Sequence, residues 1–271
     1  MKLLRKIPEL LYRGINRARR ALYRAGVFKP KRLPVPVISV GGIAAGGSGK
    51  TPATIAIAGA LIARGLRVGV LTRGYGRVGA GGVITELDAD RYGDEPVLIK
   101  KRLPQVEVLV GGNRYDNAIR NDSDVFVLDD GFQHLQLHRD LDVVIDQPAD
   151  FLREGRSALR DADVILPRNI KVTIPESLRH KRVFAFAGLA DNRQFFDSLG
   201  LDLAGTWSFP DHHRYSIANI QAIKRAARDA QADAIVTTEK DAVKIRDPQI
   251  IAIRADFVID DLDRIVAAVL K

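Results

Sequence analysis

The chain has 271 residues, 46% hydrophobic and 28% charged, which excludes a disordered or fibrous protein and supplies apolar material for one large core or two moderate ones. It contains no cysteine, so disulfide scaffolds, thiolate metal sites and cysteine nucleophiles are excluded, and the chain fits a reducing compartment. The formal net charge is +9, but residues 1–32 carry eleven Lys or Arg against the single acid Glu9. Residues 33–271 therefore sum to −1, and no nucleic-acid partner is expected of the globular body.

The basic segment is periodic. Leu3, Ile7, Leu11, Ile15, Ala18 and Leu22 recur every three or four residues on one helical face, and Pro8 and Gly26 suit the two ends, so regular helix is predicted from about 8 to 25. A helix with an apolar face and a basic rim either lies in an anionic membrane interface or packs on its own domain with its arginines solvated. Arg13, Arg17, Arg19 and Arg20 interrupt the hydrophobic region a secretory signal needs. The longest weakly polar stretch, 51–63, falls short of the roughly 20 residues of a membrane-spanning helix.

Short β-branched runs follow at 35–40, 67–72, 106–110, 125–129, 141–145, 164–166, 183–187, 234–237 and 250–253, separated by helical stretches. Their near-continuous apolar character predicts an α/β fold on a mostly parallel sheet. Between 167 and 182 the sequence turns polar and loses its period, which reads as a linker. The expected division is a basic arm over 1–32, a main domain over 33–170 and a smaller C-terminal α/β domain over 171–271.

The strand VPVISV runs into Gly41, Gly42 and Ile43, then Ala44-Ala45-Gly46-Gly47-Ser48-Gly49-Lys50-Thr51, and a helical stretch follows. Strand, glycine loop and helix in that order form a phosphate-binding P-loop. Backbone N–H groups of 44–51 approach phosphate oxygens, Lys50 reaches the outer phosphates of ATP, and the Thr51 hydroxyl ligates Mg²⁺. Ala44 stands where the usual pattern has glycine. The run 125–128 ends in Asp129 and Asp130, which become the candidate metal-shell carboxylates once a P-loop is present. Gln133 and His134, on the loop beyond them, are candidates for contact with substrate. Arg73 and Arg153 are candidates for stabilising charge on the transferring phosphoryl group, Arg73 from the substrate side. His134 and His138 have the spacing of a helical zinc pair but no neighbouring carboxylate.

These segments, LPVPVISVGGIAAGGSGKTP, LTRGYGR, GDEP at 93–96, VLDDGFQHLQLHRDLDVV, FLRE at 151–154, FAGLADNRQF and SFPDHHRY, stand in one order along the chain. In them the chain resembles the tetraacyldisaccharide 4′-kinases, the lipid A 4′-kinase family, from about residue 22 to 240. The resemblance implies a P-loop NTPase-type fold and transfer of the γ-phosphoryl group of ATP, with Mg²⁺, to the 4′-hydroxyl of an acylated glucosamine disaccharide. It implies work at the cytoplasmic face of a Gram-negative inner membrane. It also implies that Asp94 is the catalytic aspartate and His212 its partner, joined by Lys50 and Arg153, with Asp129 and Asp130 in the metal shell. On its own, Asp94 before Glu95-Pro96 reads as a helix cap, and adjacent His212 and His213 leave room for one at a site. The chain departs from the family at Gly41-Gly42, where Gly-Asn is usual, and at Gln147-Pro148-Ala149-Asp150. A P-loop ligase for a small acid and a regulatory NTPase with a working basic arm share the loop, but the first leaves the amphipathic helix unexplained and the second leaves Asp94 and His212 without roles.

Overall fold

The computed structural model describes residues 2–148 and 151–270, with the side chains of 2–9 outside the description. Ala149 and Asp150, and the Leu3 and Ile7 side chains of the predicted apolar face, thus fall outside the described residues.

The first element is helix α1 (Lys2–Arg24). It begins ahead of the predicted start and runs through Pro8, whose fixed φ suits a helix but which donates no hydrogen bond there. The chain then builds β1 (Val37–Gly42), α2 (Lys50–Ile62), β2 (Val68–Thr72), β3 (Gly82–Val83), α3 (Ala89–Tyr92), α4 (Asp94–Arg102), β4 (Glu107–Val110), α5 (Arg114–Ala118), β5 (Val125–Asp129), β6 (Leu141–Asp146) and β7 (Val164–Pro167). These strands form one sheet in the order β3-β4-β2-β5-β1-β6-β7, parallel except where the short β3 pairs with β4. Strands β1, β2 and β5 are buried along their whole length, as expected of strands covered on both faces.

After Pro167 the chain enters a second sheet at β8 (Ile170–Thr173), followed by β9 (Arg182–Ala187), α6 (Asn192–Ser198), β10 (Asp202–Ser208), α7 (Ile217–Asp229), β11 (Ala234–Thr238), α8 (Glu239–Ala242), β12 (Ile250–Phe257) and α9 (Leu262–Ala267). Its order is β10-β9-β11-β12-β8, with only β8 antiparallel. The polar stretch 167–182, expected as a linker, thus holds an edge strand, whose alternating half-buried and exposed residues suit a strand covered on one side.

The sheets are not separate globules. Phe257, Ile265 and Val266 are buried in the same cluster as Ile55, Ile57 and Leu61 of α2, and Ile170 and Val243 pack against it. Helix α2 is apolar on nearly all sides because it lies between the first sheet and the last elements of the chain.

Helix α1 is attached by its polar side. Asn16 Nδ2 donates to the Arg153 carbonyl (3.1 Å), and Arg20 lies over the Phe132 ring and bonds Glu154, Asp161 and the Phe132 carbonyl. Arg20 and Glu154 are both almost fully buried, 2.5 Å apart. The apolar residues Leu11, Ile15, Ala18 and Leu22 face solvent, Leu11 at 65% exposure and Ile15 at 51%.

Candidate active site

The carboxyl ends of β1, β5, β2 and β4 line up along one edge of the first sheet, where ligands of open α/β sheets gather. The loop after β1 carries Gly46, Gly47 and Gly49 at φ of 72°, 51° and 81°, and the left-handed Gly49 opens α2. Such a run turns successive N–H groups toward one point and aims a helix N-terminus at it. Ala44 is absent from the residues with positive φ, which is why a Cβ is tolerated there. Gly41 is needed for close approach: a Cβ there would lie 2.5 Å from Phe132 Cβ and 2.8 Å from its backbone nitrogen.

The entrance of the loop is held from the side by 151–154. Ala45 N donates to the Phe151 carbonyl (3.1 Å), Arg153 N donates to the Ile43 carbonyl (2.7 Å), and Ala44 bridges Leu152. The Ala45 N–H is thus bonded within the chain. The same pairing brings Arg153 Nη1 to Asp130 Oδ2 (2.6 Å). Lys50 Nζ donates to Ser48 Oγ (2.9 Å) and stands 3.7 Å from Asp130 Oδ1.

Asp129 is buried at the end of β5, where Thr54 donates to Oδ1 (2.9 Å) and Thr72 to Oδ2 (3.4 Å). Burial, with Glu95 and Asp130 nearby, raises its carboxyl well above the usual range, whereas Lys50 and Arg153 hold Asp130 below it against the effect of burial. Asp130 turns at a φ of 51°, and its Oδ1 is buried without a hydrogen bond. The Gln133 amide donates one of its two N–H groups to the Gly42 carbonyl (3.0 Å), and its Oε1 is buried with no hydrogen bond among the described residues. His134 is half-buried against Arg114, and Arg73 is exposed with no side-chain bond among the described residues.

Asp94 begins α4 and is buried, with its Oδ2 2.9 Å from His212 Nδ1, a residue held at a φ of 58° on the loop after β10. The Tyr75 ring lies 4.9 Å from the imidazole. Burial favours a neutral Asp94, but the His212 bond and the Lys240 and Lys244 ammoniums outweigh it and hold the carboxyl at about 2. Burial and Lys240 lower His212, and the Asp94 bond reverses this to leave it raised.

Three charged residues of this cluster escaped the sequence reading. Lys240 Nζ reaches Glu95 (3.3 Å), Asp211 (3.2 Å) and His212 Nε2 (3.4 Å). Lys244 Nζ reaches Asp241 (3.0 Å) and Asp94 Oδ2 (3.4 Å). Glu95 faces Lys240 and raises the Asp129 carboxyl, so it links the two charge clusters. The available signal was TEKDAVK directly after a strand, with lysines four apart on one helical face.

The sequence model of the family described as LpxK: Tetraacyldisaccharide-1-P 4′-kinase matches residues 1–271. A tetraacyldisaccharide 4′-kinase of Pelobacter propionicus is 38% identical over 292 residues, covering 87% of this chain and 81% of the relative. One of Geobacter metallireducens is 37% identical over 284 residues, covering 84% of each. A crystal structure of "apo" form LpxK from Aquifex aeolicus in complex with ATP superposes with a TM-score of 0.77 at 29% identity, covering 99% of this chain and 98% of that one. The chain belongs to the tetraacyldisaccharide-1-P 4′-kinase family.

Proposed function

We propose that the chain transfers the γ-phosphoryl group of ATP to the 4′-hydroxyl of a tetraacylated glucosamine disaccharide 1-phosphate. The observation that carries the reading is Asp94, a buried carboxylate kept anionic on the P-loop edge and bonded to an imidazole from the second sheet. A sugar hydroxyl is a weak nucleophile, and phosphoryl transfer asks mainly for positioning and charge neutralisation, with a carboxylate that orients the hydroxyl and takes its proton. In this reading Asp94 does so and His212 fixes its rotamer. The N–H groups of 46–51 and Lys50 hold the phosphates, and Arg153 adds charge beside Asp130.

Mg²⁺ belongs to the same reading, and the residues present suit it. Asp129 and Asp130 offer carboxylates, one oxygen of Asp130 is buried without a hydrogen bond, and the Thr51 hydroxyl has no partner among the described residues. This is an all-oxygen set of the kind that binds Mg²⁺ together with nucleotide phosphates. Bound there, the ion would neutralise charge between the outer phosphates.

The reading extends to position and domain structure. Among the described residues no helix is long and apolar enough to cross a membrane. The exposed apolar stripe of α1, rimmed by Arg13, Arg17 and Arg24, supports side-on docking to an anionic inner-membrane surface from the cytoplasmic face. A P-loop unit over 33–170 and a smaller unit over 171–271 are supported by the passage from one sheet to the other after Pro167.

The test is transfer of labelled γ-phosphate to the tetraacylated disaccharide 1-phosphate in mixed micelles. Wild type should label the 4′ position and Asp94→Ala should lose about 10²- to 10⁴-fold in kcat with little change in the KM for ATP. Equal labelling by the variant would remove Asp94 from the chemistry.

A further inference from the structure

Arg20 and Glu154 form an ion pair that takes no part in the chemistry above. Arg20 is 5% exposed and Glu154 3%, although Arg20 stands on a helix whose opposite side is open to solvent. Taking two charges out of water is costly, and it is recovered only when the geometry is good and further hydrogen bonds are made. Here every nitrogen of the guanidinium is engaged. Nε and Nη2 donate to the two carboxylate oxygens of Glu154 (2.5 and 3.1 Å), Nη1 donates to Asp161 (3.1 Å), and Nη2 also donates to the Phe132 carbonyl (2.9 Å). The guanidinium carbon lies 4.0 Å from the centroid of the Phe132 ring. A planar fork of this kind fixes its partners relative to one another, which a single ammonium does not.

The partners belong to the two segments that build the phosphate end. Phe132 follows Asp130 by two residues and closes on Gly41 near the end of β1. Glu154 follows Arg153 directly, on the segment paired to the loop entrance through Phe151, Leu152 and Arg153. The two segments meet where Arg153 Nη1 donates to Asp130 Oδ2 (2.6 Å), beside Lys50. Asn16 lies one turn before Arg20 on the same face of α1, and it donates to the Arg153 carbonyl (3.1 Å) while the Arg153 N–H is taken by the Ile43 carbonyl (2.7 Å). The Arg153 residue is therefore held by the P-loop entrance on one side and by α1 on the other. Attachment of the helix alone would be met by pairs such as Arg24 with Asp161 (2.5 Å), in which Arg24 is half-exposed.

Resting on the ATP-binding half of the reading above, we propose that Arg20 is a positioning residue for the phosphate end of the site. From α1 it sets the separation of Asp130 and Arg153, with Asn16 as a second hold on the same segment. Helix α1 is then part of the nucleotide site through its buried side, whatever its exposed stripe meets. A displacement of about 1 Å in groups that face a reacting phosphoryl costs up to about a hundredfold in rate, so the separation of this pair matters more than the strength of any one bond to it.

The experiment measures ATP binding by calorimetry, and transfer separately, in wild type, Arg20→Lys, Asn16→Ala, Arg153→Gln and the last combined with each of the other two. Arg20→Lys keeps a cation for Glu154 but loses the fork. In protein shown by its melt to be folded at the assay temperature, it should bind ATP about tenfold more weakly and lose about tenfold in kcat, with the acceptor KM changed by less than about twofold. Asn16→Ala removes one neutral bond and no charge, and should show the same pattern at about threefold. In the Arg153→Gln background either change should cost less than about twofold more, because residues that act through one another are not additive. Losses that multiply in the combined variants would make Arg20 a brace of the fold alone, and a change confined to the acceptor KM would give α1 to the acceptor. Either overturns the proposal, as does unchanged ATP binding in both single variants. Should Arg20→Lys fail to fold, Asn16→Ala and its combination with Arg153→Gln carry the same test. Wild-type protein that binds ATP but labels no acceptor would sink the kinase reading, and the ATP-binding measurements would still decide the role of Arg20.

Discussion

At the phosphate end of the candidate site, the groups come from one loop and adjoining strands of a single sheet: Gly46 to Thr51 after β1, Asp129 and Asp130 after β5, and Arg153 on a segment paired to the loop entrance. At the other end, Asp94 belongs to the first sheet's layer, but His212, Lys240 and Lys244 arrive with the second. The phosphate end is held by backbone conformation and hydrogen bonds, whereas the other end is held by ions meeting across an interface. Disturbance of sheet docking should reach the second end directly, and the first through the contact of Phe257 with Gly49.

The hardest break is at the phosphate end. Lys50→Ala removes the only ammonium within 4 Å of Asp130 among the described residues and should cost at least about a hundredfold in turnover while the protein still folds. Near-normal turnover would overturn the loop assignment. Lys244→Met tests the other end. It leaves Asp241, fully buried, and Asp94, nearly so, without a shared cation, and should cost about 3 kcal/mol in a denaturant melt together with a fall in kcat. A lower kcat with an unchanged melt would show that the lysine orients the carboxylate without holding the sheets together.

The gentlest probe is the pH response of His212. Its pKa is raised by Asp94, so its share of stability is complete below about 6.5 and is lost as pH rises through the folded value. Asp94, held at about 2, contributes above about 3.8 and loses its share as pH falls toward 2. The pair therefore supports the fold most between about 4 and 6.5. In Asp94→Asn, burial and Lys240 are opposed only by Asp211, so the imidazole pKa should drop, as read by NMR titration of the ring. An unchanged titration would mean that the carboxylate does not govern the imidazole.

What could be read in advance follows the same division. The P-loop and the aspartates after 125–128 are contiguous patterns, and each of the nine predicted runs overlaps an observed strand. The strands that went unread are weak locally: β3 has two residues, β8 alternates in a polar stretch, and β10 is interrupted by an irregularity between Leu203 and Gly205. Lys240 and Lys244 went unread because their partners lie on another element, beside a sheet whose docking no local pattern encodes. Arg114 carried no signal either, since an arginine after a strand looks solvated until burial deprives it of water.

The position of α2 bears on how the molecule is made. Its outer face meets β12 and α9, and Phe257 crowds the start of the helix where Gly49 opens it. During synthesis, an apolar helix carrying half of a nucleotide pocket emerges early and stays uncovered until residues 250–267 have been translated. The nascent chain is most prone to aggregate in that interval, and nucleotide binding should report completion of the chain more sharply than formation of its first sheet.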